Sequence, residues 1–218
     1  MGKIVNILSQ DGLIMNEENQ ADKFEKNGYL FIENFLDSNT LQTISLYFEN
    51  KVRREEWIAS DNKDEISKFS YYADPLIEVI LNSSCHFIGS IINKELYPTY
   101  SYSRIYQFKD ELKKHVDRPS CEISVTVNVA NKGKPSSIWM QYKNHDPVFF
   151  NLNPGDAILY KGCETEHWRE PLLEDQLNVQ FMLHYVDKFG KNSKNKYDFR
   201  EKLGFKSVWE NSNAGRII

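Results

Sequence analysis

The chain has 218 residues, of which 40% are hydrophobic and 13% aromatic, enough for one domain with a sizeable core. The formal net charge of -4 argues against a nucleic-acid partner, because nucleic-acid binding usually requires a basic excess. No apolar run is long enough to cross a bilayer, so we expect no membrane partner either.

The cysteines and the N-terminus favour a cytoplasmic protein. The first residues lack the long apolar core of a signal peptide. Cys85, Cys121 and Cys163 are odd in number and widely spaced, which predicts reduced thiols rather than a disulfide framework. They also contain no C-x-x-C pair of the kind that binds zinc.

The first part of the chain, residues 1–96, has the periodicity of helices with one short strand. Caps and stop signals delimit them, since Asn and Asp favour helix starts and Gly favours helix ends. Residues 51–68 are strongly charged and are predicted to be a solvated loop. The predicted elements are a helix at 16–26 with Asn16 as cap and Gly28 as stop, a strand at 29–32, a helix from the cap Asp37 to about Val52, and a helix opening at Asp74-Pro75.

After Pro98 the pattern changes to strands. Residues 121–129 alternate sharply between apolar and polar side chains, the period of a strand. Further strands are predicted at 100–108, 137–143, 148–152, 157–160 and 179–186. We expect a core at 97–187 and a tail at 188–218 with a peripheral helix near 197–203. Helices followed by short strands predict an α+β fold, with helices packed on a jelly-roll sandwich or barrel.

The residues with metal-binding chemistry begin with His115 and Asp117. Side chains at i and i+2 of an extended segment point the same way, so a nitrogen and a carboxylate ligand can converge on one metal. Alone, such a pair is more often a surface polar pair. His167, which follows the turn at 153–156 and the strand at 157–160, is the candidate third ligand.

This arrangement resembles the iron(II)/2-oxoglutarate-dependent dioxygenase superfamily and is most similar to its prolyl hydroxylase branch. Residues 28–36 also resemble the N-terminal strand and helix start of many members. The resemblance implies a double-stranded β-helix core of cupin-like type, with N-terminal helices packed on one sheet. It also implies iron(II), O2, and 2-oxoglutarate decarboxylated to succinate as a C–H bond is hydroxylated. Residues 51–68 then become a candidate lid.

The same resemblance bears on the substrate and on the reaction. It implies a peptide side chain, such as a prolyl ring, or a small metabolite as substrate. Related halogenases carry a small residue in place of the carboxylate ligand, so Asp117 favours hydroxylation.

One feature departs from the family pattern. Members commonly place an Arg or Lys on the last core strand to bind the far carboxylate of 2-oxoglutarate, but residues 176–180 contain no cation. Arg169 is the first candidate to replace it, because strand alternation places it on the inward face with His167. A salt bridge from Arg169 to Glu166 or Glu170 is the alternative.

Other residues can contribute to the same co-substrate site. Arg104 is the second candidate cation, and Tyr106 resembles a family tyrosine that binds 2-oxoglutarate. Asn178 and Gln180 can each add a neutral hydrogen bond. Two rival functions stay open: a cupin-like metal enzyme that does not use 2-oxoglutarate, and a non-catalytic jelly-roll binding protein.

Overall fold

The computed structural model describes residues 19–54 and 69–204. Within these ranges it has three α-helices and ten β-strands, arranged as a sandwich of two antiparallel sheets. The helices are α1 Gln20–Asn27, α2 Ser38–Arg53 and α3 Pro75–Ile91. The strands are β1 Tyr29–Ile32, β2 Phe69–Tyr72, β3 Leu96–Tyr106, β4 Leu112–His115, β5 Ile123–Lys132, β6 Ile138–Tyr142, β7 Val148–Phe150, β8 Ala157–Tyr160, β9 Thr165–Arg169 and β10 Leu177–Asp187. The predicted α+β jelly-roll fold is confirmed.

The larger sheet has the strand order β1-β8-β5-β10-β3-β2, and the smaller sheet has the order β4-β9-β6-β7. β1 and β2, from the first 96 residues, thus form the two edges of the larger sheet.

None of the helices in the described ranges is long and apolar enough to cross a membrane. The helices pack on the outer face of the larger sheet, where the main core contains, among others, Phe24, Ile44, Ile77, Leu81, Val125, Val127, Phe181 and Leu183.

The helix starts follow from capping side chains. Asp37 accepts hydrogen bonds from two amides of α2, and Asp74 does the same for α3, as predicted. α1 begins at Gln20 with Asn19 as its cap, so the predicted cap at Asn16 is wrong. Gly28 ends this helix with a φ of 77°, a left-handed conformation that favours glycine.

Strand β5 is buried on both faces. The apolar set predicted for one face packs into the core under the helices. The polar set on the other face, Ser124, Thr126 and Asn128, is at most 1% exposed and faces the interior of the sandwich. β5 begins at Ile123 instead of 121, because Pro119–Cys121 forms a short 3-10 helix. An alternating strand of this sandwich therefore turns its polar face to the interior.

Two predictions about charged segments are changed by the structure. Lys51 is buried in α2 and pairs with Asp74, so the charged segment does not begin in solvent. Residues 55–68, which make up most of the candidate lid at 51–68, lie outside the described residues. The helix predicted at 197–203 is wrong, since the tail forms a 3-10 segment at Ser193–Phe199 that ends in three left-handed residues.

Candidate metal centre

The two histidines of the predicted ligand set lie opposite each other on neighbouring strands. β4 pairs with β9 so that His115 faces His167, with ring centroids 4.3 Å apart. Asp117 follows in the loop after β4, and its Oδ1 is 3.6 Å from His115 Nε2 and 3.5 Å from His167 Nε2. The structure therefore brings the three predicted ligands together, with their donor atoms within 4.8 Å of one another.

Backbone carbonyls select the tautomer of both histidines. His115 Nδ1 is 2.7 Å from the carbonyl of Lys113, and His167 Nδ1 is 3.0 Å from the carbonyl of Thr165. A carbonyl oxygen only accepts hydrogen bonds, so each Nδ1 carries the proton. In the neutral form of each ring, Nε2 then keeps its lone pair and faces Asp117, which is the orientation that a metal ligand needs; in the protonated form Nε2–H donates to that carboxylate instead.

The second oxygen of Asp117 is held by the larger sheet. Oδ2 accepts a hydrogen bond of 2.9 Å from Ser124, and Ser124 Oγ is 2.9 Å from His184 Nδ1. The Asp117 amide donates to the carbonyl of Gly162 at 2.8 Å. These contacts leave Oδ1 free to face the two histidines, so Asp117 is oriented to act as a one-oxygen ligand.

Electrostatics keep this carboxylate ionised. Burial raises the pKa of Asp117, but the charge of His167 and the hydrogen bonds to His115 and His167 outweigh burial and hold the pKa well below its usual range. Burial lowers the pKa of His115, yet the hydrogen bond to Asp117 and the Lys113 carbonyl raise it above its usual value.

A second group of donors, Asp117, Cys121 and His184, lies on the other side of the same carboxylate. Burial raises the pKa of Cys121 well above its usual value, so the thiol stays protonated and is a poor ligand. Burial lowers the pKa of His184 to about 4, and its Nδ1 is already engaged by Ser124. The two-histidine, one-carboxylate set is the better metal site. Its donors suit iron(II) and leave one side of the metal open.

Arg169 lies two residues after His167 on β9 and is 2% exposed. One Nη donates to Gln180 Oε1 at 2.8 Å, and the other donates to the carbonyl of Ser136 and to its Oγ at 3.1 Å. Within the described ranges, Nε has no hydrogen-bond partner. Burial lowers the pKa of Arg169 to about 10, so the guanidinium is still charged at neutral pH.

The alternative salt bridges of Arg169 do not form. Glu166 pairs with Lys114, and Glu170 accepts the indole N–H of Trp168. No carboxylate in residues 19–54 or 69–204 lies within ion-pair distance of the guanidinium. Arg169 is thus a buried cation without an anionic partner in the described chain, which is costly unless an anion binds there.

Two other predicted residues lie beside this guanidinium. Tyr106 is 1% exposed, and the Arg169 guanidinium lies 5.5 Å from the centre of its ring. Arg104 is opposite Gln180 in the β3–β10 register, and its charge lowers the pKa of His115. Tyr106 therefore lies beside Arg169, and Arg104 lies opposite its partner Gln180, while their roles toward a co-substrate stay predictions.

Asn178 and Gln180 differ in their contacts. Gln180 contacts Arg169 directly, as described above. Asn178 donates to Asn128 Oδ1 at 2.9 Å and to Asn131 Oδ1 at 2.8 Å, within a network of asparagine side chains. Its own Oδ1 has no partner in the described part of the chain. Of the two predicted neutral contacts, Gln180 is the one that the structure places at the cation.

Three residues of the site were not predicted from the sequence. Ser124 could have been found from its place on the polar face of β5, which turns inward. Ser136, which binds Arg169, lies in a loop and carries no sequence signal. The third is Gly162, where a Cβ atom would lie 2.6 Å from Asp117 Oδ2 and would also meet the Cys121 carbonyl.

Comparison with known proteins supports the fold. No protein-family model and no curated protein matches the sequence. Among solved structures, a Pseudomonas putida prolyl-4-hydroxylase matches with a TM-score of 0.62 at 10% identity, over 77% of this chain and 96% of that chain. A Trichoplax adhaerens prolyl hydroxylase, in complex with a hypoxia-inducible factor peptide fragment, matches with 0.61 at 16% identity, over 78% and 88%.

A third match has a different activity. The non-heme alpha-ketoglutarate-dependent epimerase SnoN from nogalamycin biosynthesis has a TM-score of 0.66 at 10% identity, over 78% of this chain and 80% of that chain. The chain thus has the jelly-roll fold of the 2-oxoglutarate–iron(II) oxygenases, and the predicted resemblance to this superfamily is confirmed at the level of fold. Because a fold does not determine a reaction, the activity has to be argued from the site.

We expect Gly162→Ala to weaken metal binding. The new methyl group would displace Asp117 or the loop that carries it, and misplaced ligands or supports typically cost about 10- to 100-fold in affinity. The measurement is a Co(II) titration followed by absorption. Cys163→Ser, which changes the next residue without adding an atom, is the control. Equal affinities of Gly162→Ala and wild type would contradict the expected crowding.

Metal affinity should also decrease with falling pH. The metal takes the neutral imidazole, and the Asp117 and Lys113 contacts raise the pKa of His115, so protons compete with the metal more strongly than at an ordinary histidine as the pH falls. The Kd for Co(II) should therefore rise between about pH 8 and about pH 6. His145→Ala, in an exposed turn, should give the same curve as wild type. A Kd that does not change over this range would contradict the ligand role of His115.

Proposed function

We propose that the protein is an iron(II)- and 2-oxoglutarate-dependent dioxygenase that hydroxylates a C–H bond of a peptide side chain or a small metabolite. The observation that supports this most is the buried Arg169 guanidinium, which lies beside the candidate metal ligands and has no carboxylate partner in the described chain. A metal site alone would not need such a cation, whereas a dicarboxylic co-substrate would.

The geometry fits a short dicarboxylic acid. His167 and Arg169 are separated by two residues of one strand, about 7 Å, and both point inward. A keto acid group at the metal would therefore leave its far carboxylate near the guanidinium. Arg favours such a carboxylate because its planar N–H groups match the two oxygens. Nε, the donor without a partner, is available for this bond.

Each residue then has a distinct task. His115, Asp117 and His167 would hold the iron through two neutral nitrogens and one anionic oxygen. Gln180 and Ser136 hold the Arg169 guanidinium in place for the co-substrate. When bound, iron, 2-oxoglutarate and O2 supply the oxidising chemistry and succinate is released, while the protein orients them. The buried position of Arg169 would keep water away from its ion pair with the co-substrate carboxylate, and this would strengthen the pair.

Hydroxylation and the location are supported by separate observations. Asp117 occupies the position that halogenases leave to a small residue, which favours hydroxylation. One of the similar structures is a prolyl hydroxylase with a bound peptide fragment, and this supports a peptide substrate with a prolyl side chain among the candidates. The free thiols Cys85, Cys121 and Cys163 support a location in the cytoplasm, where thiols stay reduced.

The test is an anaerobic titration with iron(II) and 2-oxoglutarate, followed by absorption. We expect a metal-to-ligand charge-transfer band in wild type, no band in His167→Ala, and a much higher 2-oxoglutarate requirement in Arg169→Ala. Metal binding without a 2-oxoglutarate-dependent band would favour the cupin-like alternative. Absence of metal binding with all three ligands intact would favour a binding protein. An unchanged requirement in Arg169→Ala would move the carboxylate-binding role to Arg104.

We expect Gln180→Glu to give the Arg169 guanidinium an anionic partner within the chain, which competes with the co-substrate carboxylate. The substitution is isosteric and places a carboxylate next to Arg169, at the position of the present 2.8 Å hydrogen bond. The internal ion pair should weaken 2-oxoglutarate binding by about tenfold or more and raise the stability of the ligand-free protein. Binding is read from the absorption titration and stability from urea unfolding.

Gln42→Glu is the matched control, because it makes the same change of charge on an exposed position of α2. It should leave 2-oxoglutarate binding unchanged. If Gln180→Glu bound 2-oxoglutarate as tightly as wild type, Arg169 would not be the residue that binds the far carboxylate.

A further inference from the structure

The C-terminal segment contains a strained stretch of backbone. Tyr197, Asp198 and Phe199 have φ values of 56°, 53° and 63°, three consecutive non-glycine residues in the left-handed region. Each such residue costs free energy and persists only where surrounding contacts hold it. The side-chain contacts of Asp198 hold this strained backbone in place.

Asp198 is 1% exposed and makes three strong contacts. Its two oxygens accept from the two Nη atoms of Arg118 at 2.7 and 2.9 Å, and Oδ2 also accepts from the Tyr72 hydroxyl at 2.6 Å. A bidentate pair of this kind fixes the guanidinium in direction as well as in distance. The strained backbone thus delivers a buried carboxylate to one particular arginine.

That arginine directly follows a candidate metal ligand. Arg118 is the next residue after Asp117, and its guanidinium also donates to Ser120 Oγ at 2.9 Å and lies 4.5 Å from the centre of the Tyr100 ring. Asp117 itself is held from the other side by Ser124 and Gly162, as described above. The short loop with the ligand is therefore held between the larger sheet and the C-terminal segment.

The same segment has a second attachment that does not involve the metal site. The Arg200 guanidinium, 5% exposed as a residue, pairs with Glu78 of α3 and donates to the Thr99 carbonyl at 2.8 Å. This contact can hold the segment on the fold without Asp198. Stability alone therefore does not explain why the chain adopts three left-handed residues to reach Arg118.

We propose that Asp198 is a positioning residue for the metal ligand Asp117, acting through Arg118, and that the segment at 193–204 is part of the metal centre's support. This inference rests on the proposed function, because it takes Asp117 as a ligand. Within it, the C-terminal segment sets the position of the loop at 116–118 and, through that loop, the metal affinity.

The experiment compares Co(II) binding and the Co(II) absorption spectrum in wild type, Asp198→Asn, Arg118→Gln and the double variant. Asp198→Asn keeps the shape but loses the charged pair, and we expect its Kd to rise about tenfold with a shifted spectrum. Arg118→Gln should have a similar effect. The double variant should lose little more than either single variant, because both remove the same interaction.

Glu78→Gln is the matched control, since it weakens the second attachment of the same segment. It should lower the thermal midpoint while leaving the Co(II) Kd and spectrum unchanged. The proposal is overturned if Asp198→Asn binds Co(II) like wild type, or if Glu78→Gln raises the Kd by as much. Should Asp198→Asn not fold, Tyr72→Phe, which removes one hydrogen bond to Asp198, should raise the Kd in the same direction by a smaller factor.

Failure of the proposed function gives a different result. If wild type does not bind Co(II), or if His167→Ala binds it equally well, the ligand set itself is wrong and this inference falls with it. If wild type binds Co(II) through His167 and only the Asp198 effect is missing, the ligand set stands and the positioning role alone is wrong.

Discussion

The rest of the site depends on the buried carboxylate of Asp117. One oxygen faces two histidines of the smaller sheet, and the other accepts a hydrogen bond from Ser124 of the larger sheet. A buried anion is tolerated only when it is paired and hydrogen-bonded, so both sheets must bring their groups to this one atom pair. Gly162 lies close to the same carboxylate, and Arg118, the residue after Asp117, is held by the distant carboxylate of Asp198.

The opposite situation holds for Arg169. Its guanidinium is more deeply buried than the Asp117 carboxylate, but the described chain offers it only neutral acceptors. Such a buried cation lowers the stability of the protein unless an anion from solution binds to it and neutralises its charge. A compensated anion beside an uncompensated cation is the arrangement expected of a site that binds a metal and an anionic co-substrate together. The jelly-roll fold, shared with enzymes of different reactions, does not by itself distinguish these roles.

Much of the fold was predictable because its signals are local. The caps Asp37 and Asp74 act on amides two or three residues away, and strand alternation has a period of two. The shared face of His167 and Arg169 follows from the same period, whereas Asp117 reaches His115 from the loop after β4. The helix predicted at 197–203 failed because contacts with Arg118 and Tyr72 override the local preference of that segment.

By itself, the sequence determined the three helices and most of the strands, though not β2 or β4, as well as the candidate ligand residues and the cation on the face of His167. Only the tertiary structure decided what holds these residues in place. Ser124 contacts His184 across 60 residues of chain, and Arg118 contacts Asp198 across 80. Such pairs depend on strand register and on the path of the tail. Local periodicity carries no information about either, because both arise from packing between distant segments.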